Sequence, residues 1–146
     1  MTVIACNRKE MAADTGATVE GVKFYRTKKI KRLNNGALIA FAGDSDVSDR
    51  MTLKLNKIVK IRQILMADLK DTGCAYGIYL CEHGIYRFCA GRNYAIAKIE
   101  DDTFAEGCGF KLALAAMMCG ATPEEACGVA VELDTSCVGP IQVERL

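Results

Sequence analysis

Between the turn pair Asn35-Gly36 and Asp44 the chain reads Ala37-Leu38-Ile39-Ala40-Phe41-Ala42-Gly43, with no polar side chain in the run. A strand sends successive side chains to opposite faces, so a run that does not alternate predicts a strand covered on both sides. Something must pack against each face. Two sheets stacked face to face with helices outside provide that cover, which points to the α+β class and a four-layer αββα sandwich. Composition by itself also permits a two-layer α+β fold.

The rest of the pattern supplies the layers. Strands are predicted at Val3 to Cys6, Met11 to Ala13, Lys23 to Arg26, Lys28 to Leu33 and Ala37 to Gly43, separated by Gly16, Gly21 and Asn35-Gly36. A helical period follows from about Ser45 to Lys70, carried by Val47, Met51, Leu55, Ile58, Leu65 and Leu69, as one helix or two. After Gly73 a hairpin is expected over Cys74 to Cys81 and Ile85 to Ala90, turning at Glu82, His83 and Gly84. One or two more strands reach Gly107. Phe110 to Cys119 reads as an alanine-rich helix stopped by Gly120. Thr122, Pro123 and Glu125 announce another helix through a Thr-x-x-Glu capping box, with Ala126, Val129, Ala130 and Leu133 expected inward. A last strand spans about Val138 to Val143.

With 146 residues, 51% hydrophobic, 25% charged and only 2 prolines, residues 1–146 are expected to fold as one domain. The 19 basic and 18 acidic side chains leave a net charge of +1, so no global field draws the chain to nucleic acid or an anionic membrane. Arg50, Lys54, Lys57, Lys60 and Arg62 come without aromatic platforms, which suits a solvated or subunit-facing surface better than a nucleic-acid one. No apolar run reaches the length of a membrane span, and Asn7, Arg8, Lys9 and Glu10 stand where a signal peptide would be apolar. The expectation is a cytoplasmic protein. The 8 cysteines include no Cys-x-x-Cys pair, and His83 is the sole histidine, so neither a metal site nor a cofactor is expected. Reduced thiols serving as small core residues account for most of the cysteines.

Four ordered segments carry a resemblance. Met1-Thr2-Val3-Ile4-Ala5, then Ala12-Ala13-Asp14, then Lys28-Lys29-Ile30, then Phe41-Ala42-Gly43-Asp44 resemble in order and spacing the N-terminal half of proteasome β-subunit and HslV-like threonine peptidases, within the N-terminal-nucleophile hydrolases. Gly107-Cys108-Gly109 and Asp134-Thr135-Ser136-Cys137 resemble the later motifs of that family, and short members from phages and prophages are the most similar in length. Three departures stand out: the stretch between Asp44 and Gly107 is shorter, Cys108 stands where the family usually has serine, and Cys137 is read the same way after Asp134.

The resemblance implies Thr2 as nucleophile once Met1 is removed, with its own α-amine as base; a hydroxyl needs such a base near neutral pH. It implies that Lys29 keeps that amine neutral, that Asp14 pairs with Lys29, and that the Gly43 N–H stabilises the oxyanion. Cys108 and Asp134 would support the amine. Ala17, Thr18, Thr27, Phe41 and Ser45 would line the substrate pocket, with Phe41 narrowing it. It further implies a homo-oligomeric ring acting on peptide or unfolded protein, served by an AAA+ unfoldase. A catalytically silent scaffold subunit and a small-amide amidase are the rival readings.

Overall fold

The computed structural model of the chain describes residues 2–19, 22–58, 63, 73–90 and 95–146. Six strands come first: β1 (Val3–Asn7), β2 (Glu10–Asp14), β3 (Gly16–Val19), β4 (Val22–Tyr25), β5 (Ile30–Arg32) and β6 (Leu38–Gly43). Helix α1 (Ser45–Leu55) follows, then β7 (Ala75–Cys81), β8 (Gly84–Ala90), β9 (Ala95–Ile99) and β10 (Thr103–Gly107). Helices α2 (Phe110–Met118) and α3 (Pro123–Leu133) precede β11 (Ile141–Arg145).

The strands form a sheet in the order β10-β1-β2-β11, a second in the order β5-β6-β7-β8-β9, and a two-stranded ribbon of β3 and β4. Every pairing is antiparallel. Strand alternation then sorts the core into three slabs. Ile4, Cys6, Met11 and Ala13 of the first sheet meet Leu38, Ala40, Ile78 and Leu80 of the second. Val3, Ala5 and Ala12, one position out of phase, face Ala113, Met117, Ala126 and Ala130 of α2 and α3. Ile39 and Phe41 turn the other way, onto Val47, Met51 and Leu55 of α1. The apolar run in β6 is thus covered on both faces, and the architecture is the four-layer αββα sandwich.

Several expectations need correcting. Gly16–Val19 forms a strand that Gly16 and Ala17, both poor β-formers, conceal; backbone bonds from Thr15 and Gly16 N–H to the Val138 carbonyl anchor its start. The closing strand begins at Ile141, after Pro140, which has no N–H to donate. On α3 the buried residues are Pro123, Ala126, Cys127 and Ala130, one stripe at helical spacing; Val129 lies off it, and Leu133, in phase with Ala126 and Ala130 but the last residue of the helix, is exposed as well. Cys6, Cys81, Cys127 and Cys137 are buried, whereas Cys74, Cys108 and Cys119 are exposed, so the core role holds for only half of the thiols. Helix α1 ends at Leu55; residue 63 is helical, and the remainder of the stretch expected to be helical, 59–62 and 64–70, lies outside the described residues. Among the described residues no helix is long and apolar enough to cross a membrane.

The capping box forms as anticipated: Thr122 Oγ1 accepts from Glu125 N–H at 3.3 Å, and Glu125 Oε2 accepts from Thr122 N–H at 2.8 Å. These bonds hold the Glu125 carboxyl below its ordinary range. Thr122→Ala is expected to lower folding stability by about 1 kcal/mol, read by chemical denaturation.

Candidate active site

The site grows from the hairpin of β1 and β2. Its register pairs Ile4 with Ala13, which brings Asp14, at the end of β2, alongside the start of β1. Asp14 is fully buried. Its Oδ1 accepts from Val3 N–H at 2.9 Å and its Oδ2 from Val138 N–H at 3.1 Å. A buried carboxylate also needs a counter-charge. Lys29 provides it, with Nζ 2.7 Å from Asp14 Oδ1 and a side chain only 7% exposed. The same Nζ donates to Thr2 Oγ1 at 2.8 Å.

Lys29 lies just before β5, and the polar end of Gln142 on β11 fixes it there. Gln142 Oε1 accepts from the N–H groups of Lys29 (3.0 Å) and Ile30 (3.1 Å), while Nε2 donates to the Ile30 carbonyl at 2.9 Å. Sequence reasoning missed Gln142. A lone glutamine in a closing strand carries no signal for such a clamp. Beyond Lys29 the strand alternates: Ile30 enters the core between the sheets and Lys31 pairs with Asp49 of α1.

The other side of Thr2 is sulfur-rich. Thr2 N–H donates to Cys108 Sγ at 3.1 Å, and the Cys108 thiol donates back to the Thr2 carbonyl at 3.1 Å. Ser136 Oγ lies 3.2 Å from Cys108 Sγ and donates to Asp134 Oδ1 at 2.5 Å. Those bonds from Ser136 hold the Asp134 carboxyl below its usual range. Cys137 Sγ is 3.7 Å from Cys108 Sγ. Burial, and then the neighbouring Cys108, push the Cys137 thiol up to about 12. Cys108, Asp134 and Cys137 are the one group of potential metal ligands among the described residues, with ligand atoms all within 4.8 Å of one another.

Thr2 opens onto a cleft of about 350 Å³ whose wall includes Gly43 and all five expected pocket residues, Ala17, Thr18, Thr27, Phe41 and Ser45. The Phe41 ring stands edge-on to Phe88 with centroids 4.9 Å apart, which stiffens that wall. Ser48, Asp49 and Lys31 also line the cleft and were not anticipated. Ser48 and Asp49 follow Ser45 by three and four residues on α1, so helical spacing was the available signal. Gly43 adopts φ +112°, and a Cβ there would sit 2.7 Å from the Cys74 carbonyl oxygen. At Gly107 (φ +98°) a Cβ would lie 2.1 Å from the Thr2 carbonyl oxygen. The structure therefore brings Thr2, Asp14, Lys29 and Cys108 into direct contact and puts Gly43 on the same cleft. Asp134 connects to Thr2 indirectly, through Ser136 and Cys108. Met1 lies outside the described residues.

No protein-family model matches the chain, and no curated protein matches its sequence. Solved structures do match. HslV from Trypanosoma brucei superposes with a TM-score of 0.79 at 20% identity, over 99% of this chain and 98% of that one. Thiobacillus denitrificans BPH in complex with epoxomicin gives 0.75 at 16% identity, over 99% and 97%. BPH alone gives 0.72 at 16%, over 99% and 96%. The chain has the fold of these HslV and BPH structures, a four-layer αββα sandwich.

Two substitutions probe the geometry through stability. Asp14→Ala strands the Lys29 charge and two backbone N–H groups, an expected loss of about 3–5 kcal/mol in denaturant unfolding. Gly107→Ala must either displace Thr2 or strain β10, and is expected to lose more than about 1 kcal/mol in the same measurement.

Proposed function

We propose that this chain is a threonine-type endopeptidase whose nucleophile is the Thr2 hydroxyl, freed for the reaction by removal of Met1. The observation that carries the reading is the buried Lys29 ammonium held between Asp14 and Thr2 Oγ1, on a cleft open to substrate. An ammonium 2.8 Å from a hydroxyl oxygen favours the deprotonated oxygen, and, being paired with Asp14, it stays in place without a solvent shell.

In this mechanism the neutral α-amine of Thr2 takes the hydroxyl proton as Oγ1 attacks the scissile carbonyl. The Gly43 N–H receives the developing oxyanion; one well-placed donor of this kind contributes about 3 kcal/mol to the barrier. The tetrahedral species collapses to an ester on Thr2, and the amine passes its proton to the departing amino group. Water, deprotonated by the same amine, then hydrolyses the ester and restores the hydroxyl. Cys108 orients the amine through its contact with Thr2 N, in the role a hydroxyl would otherwise fill, and Asp134 acts behind it through Ser136.

Two features support assembly into a ring serving unfolded polypeptide. The resemblance of the sequence to proteasome β-subunit and HslV-like peptidases implies a ring, and the superposed structures include HslV and BPH. The helix layer of this chain also exposes Met118, Leu133, Val129 and Phe110, the kind of apolar surface a neighbouring subunit covers. An AAA+ unfoldase and a cytoplasmic setting belong to the same proposal. The silent-scaffold reading draws on one observation, the thiol in place of a hydroxyl at Cys108, because a thiol is the weaker hydrogen-bond partner.

Intact mass together with hydrolysis of fluorogenic peptides separates these readings. The expected result is complete loss of Met1 and a fall in kcat/KM of more than about 10³-fold in Thr2→Ala and Lys29→Ala. Activity that survives Thr2→Ala removes the mechanism, and a processed but inert wild-type protein favours the scaffold. The α-amine must be neutral to act, so kcat/KM is expected to rise with pH to a plateau. Its midpoint should fall at or below the ordinary amine value of about 8, because the Lys29 charge disfavours a second cation. Light scattering is expected to give a ring-sized mass; a monomer counts against the assembly.

A further inference from the structure

The peptidase mechanism uses Cys108 only as a neighbour of the Thr2 amine and leaves Cys137 without a task. We propose that Cys108, Cys137 and Asp134 form a Zn²⁺ site that takes the α-amine of processed Thr2 as its fourth ligand.

Distances favour the metal over the two simpler fates of a thiol pair. Two thiolates on one tetrahedral zinc, each about 2.3 Å from the ion, stand about 3.8 Å apart. The Cys108 and Cys137 sulfurs are 3.7 Å apart. A disulfide requires about 2.05 Å, so the two sulfurs stand at the zinc spacing and not at the bonded one. An ordinary core role fails for Cys108, which is exposed. The third ligand atom, on Asp134, completes a group spanning no more than 4.8 Å, and Thr2 N lies 3.1 Å from Cys108 Sγ. Sulfur, carboxylate and amine together are a donor set that suits zinc.

The surroundings suit it as well. Ser136 N–H and Oγ both bond Asp134 Oδ1, at 2.9 and 2.5 Å, and so fix the carboxylate as hydrogen-bond partners of metal ligands commonly do. Binding displaces the Cys108 and Cys137 thiol protons to the buffer, while the neutral amine contributes its lone pair. No electrons are exchanged.

The site has a consequence that rests on the peptidase reading: an amine whose lone pair is on zinc cannot take the Thr2 proton. Zinc then holds the enzyme off, and its loss turns the enzyme on. In the N-terminally extended chain, where Thr2 N is a peptide amide, the fourth ligand is missing.

The test titrates processed, fully reduced protein with Co²⁺ and follows thiolate-to-cobalt charge-transfer absorption, then displaces the cobalt with Zn²⁺ in competition with a chromogenic chelator. One equivalent with tetrahedral cobalt bands is expected. Cys108→Ser, at an exposed position that tolerates the change, should weaken Zn²⁺ binding more than about 100-fold, beyond the usual loss of an outer partner. Cys137→Ser, checked for folding by circular dichroism, should do the same, whereas Cys74→Ser and Cys119→Ser should retain the bands. An N-terminally extended chain should bind at least about tenfold more weakly. Absence of thiolate-to-cobalt bands, or their survival in Cys108→Ser, overturns the site. Equal affinity of the extended chain overturns the amine ligand. Peptide hydrolysis is measured in parallel: inhibition by Zn²⁺ that a chelator reverses supports the switch, and full activity at saturating zinc overturns it. Cobalt bands in a protein that hydrolyses nothing when metal-free sink the proposed function and leave the site standing.

Discussion

Everything at the candidate site depends on one buried carboxylate. Asp14 is fully buried and holds three groups from separate parts of the chain: the backbone of β1 at Val3, the segment before β11 at Val138, and the Lys29 ammonium. Each contact answers a different problem. The N–H bonds satisfy backbone donors that would otherwise be orphaned in the core, and the ion pair makes a lysine affordable where water is scarce. Lys29 is thereby positioned with its ammonium on Thr2 Oγ1 instead of in solvent. The fold and the proposed chemistry share this residue.

Glycine sets how closely the layers approach around Thr2. At Gly107 the backbone of β10 comes so near the Thr2 carbonyl that no Cβ fits, and its positive φ would strain any other residue. That approach delivers Cys108 directly after the strand, within reach of Thr2 N. Gly43, similarly intolerant, ends β6 at the cleft mouth. The two glycines flank Thr2 on different sheets, so the residue is held at the seam of the sandwich.

Much of this was legible in the sequence because its signals were local. The unbroken apolar run of β6 dictated cover on both faces, and Thr122, Pro123 and Glu125 announced α3 through capping chemistry confined to a few residues. Thr2, Asp14, Lys29 and Gly43 could be named from ordered motifs, and the structure puts them together. The failures share a different cause. On α3, Ala126, Cys127, Val129, Ala130, Val131 and Leu133 are apolar nearly all round, so the pattern could not set the phase that exposes Val129, and Leu133 is exposed at the helix end although in phase with Ala126 and Ala130. The Gln142 clamp joins residues 113 positions apart, and nothing local to a glutamine reveals its partner. Cys108 and Cys137 are 29 positions apart, so a search for Cys-x-x-Cys spacing passes over two sulfurs that the fold sets 3.7 Å from each other.

That last pair bears on what a thiol changes at this position. A hydroxyl beside the Thr2 amine would give a stronger hydrogen bond and almost no affinity for a soft metal; a thiol reverses both properties. Cys108 already exchanges two bonds with Thr2, through its amide nitrogen and its carbonyl oxygen, so orientation does not require the stronger donor. Sulfur at Cys108 alone would be a small substitution. A second sulfur at Cys137, with the Asp134 carboxylate beside it, supplies the further ligands that a metal needs and a hydrogen-bond relay does not. Base and ligand are competing roles for one lone pair: Lys29 approaches Thr2 at Oγ1, and the group that competes for the lone pair approaches at its nitrogen.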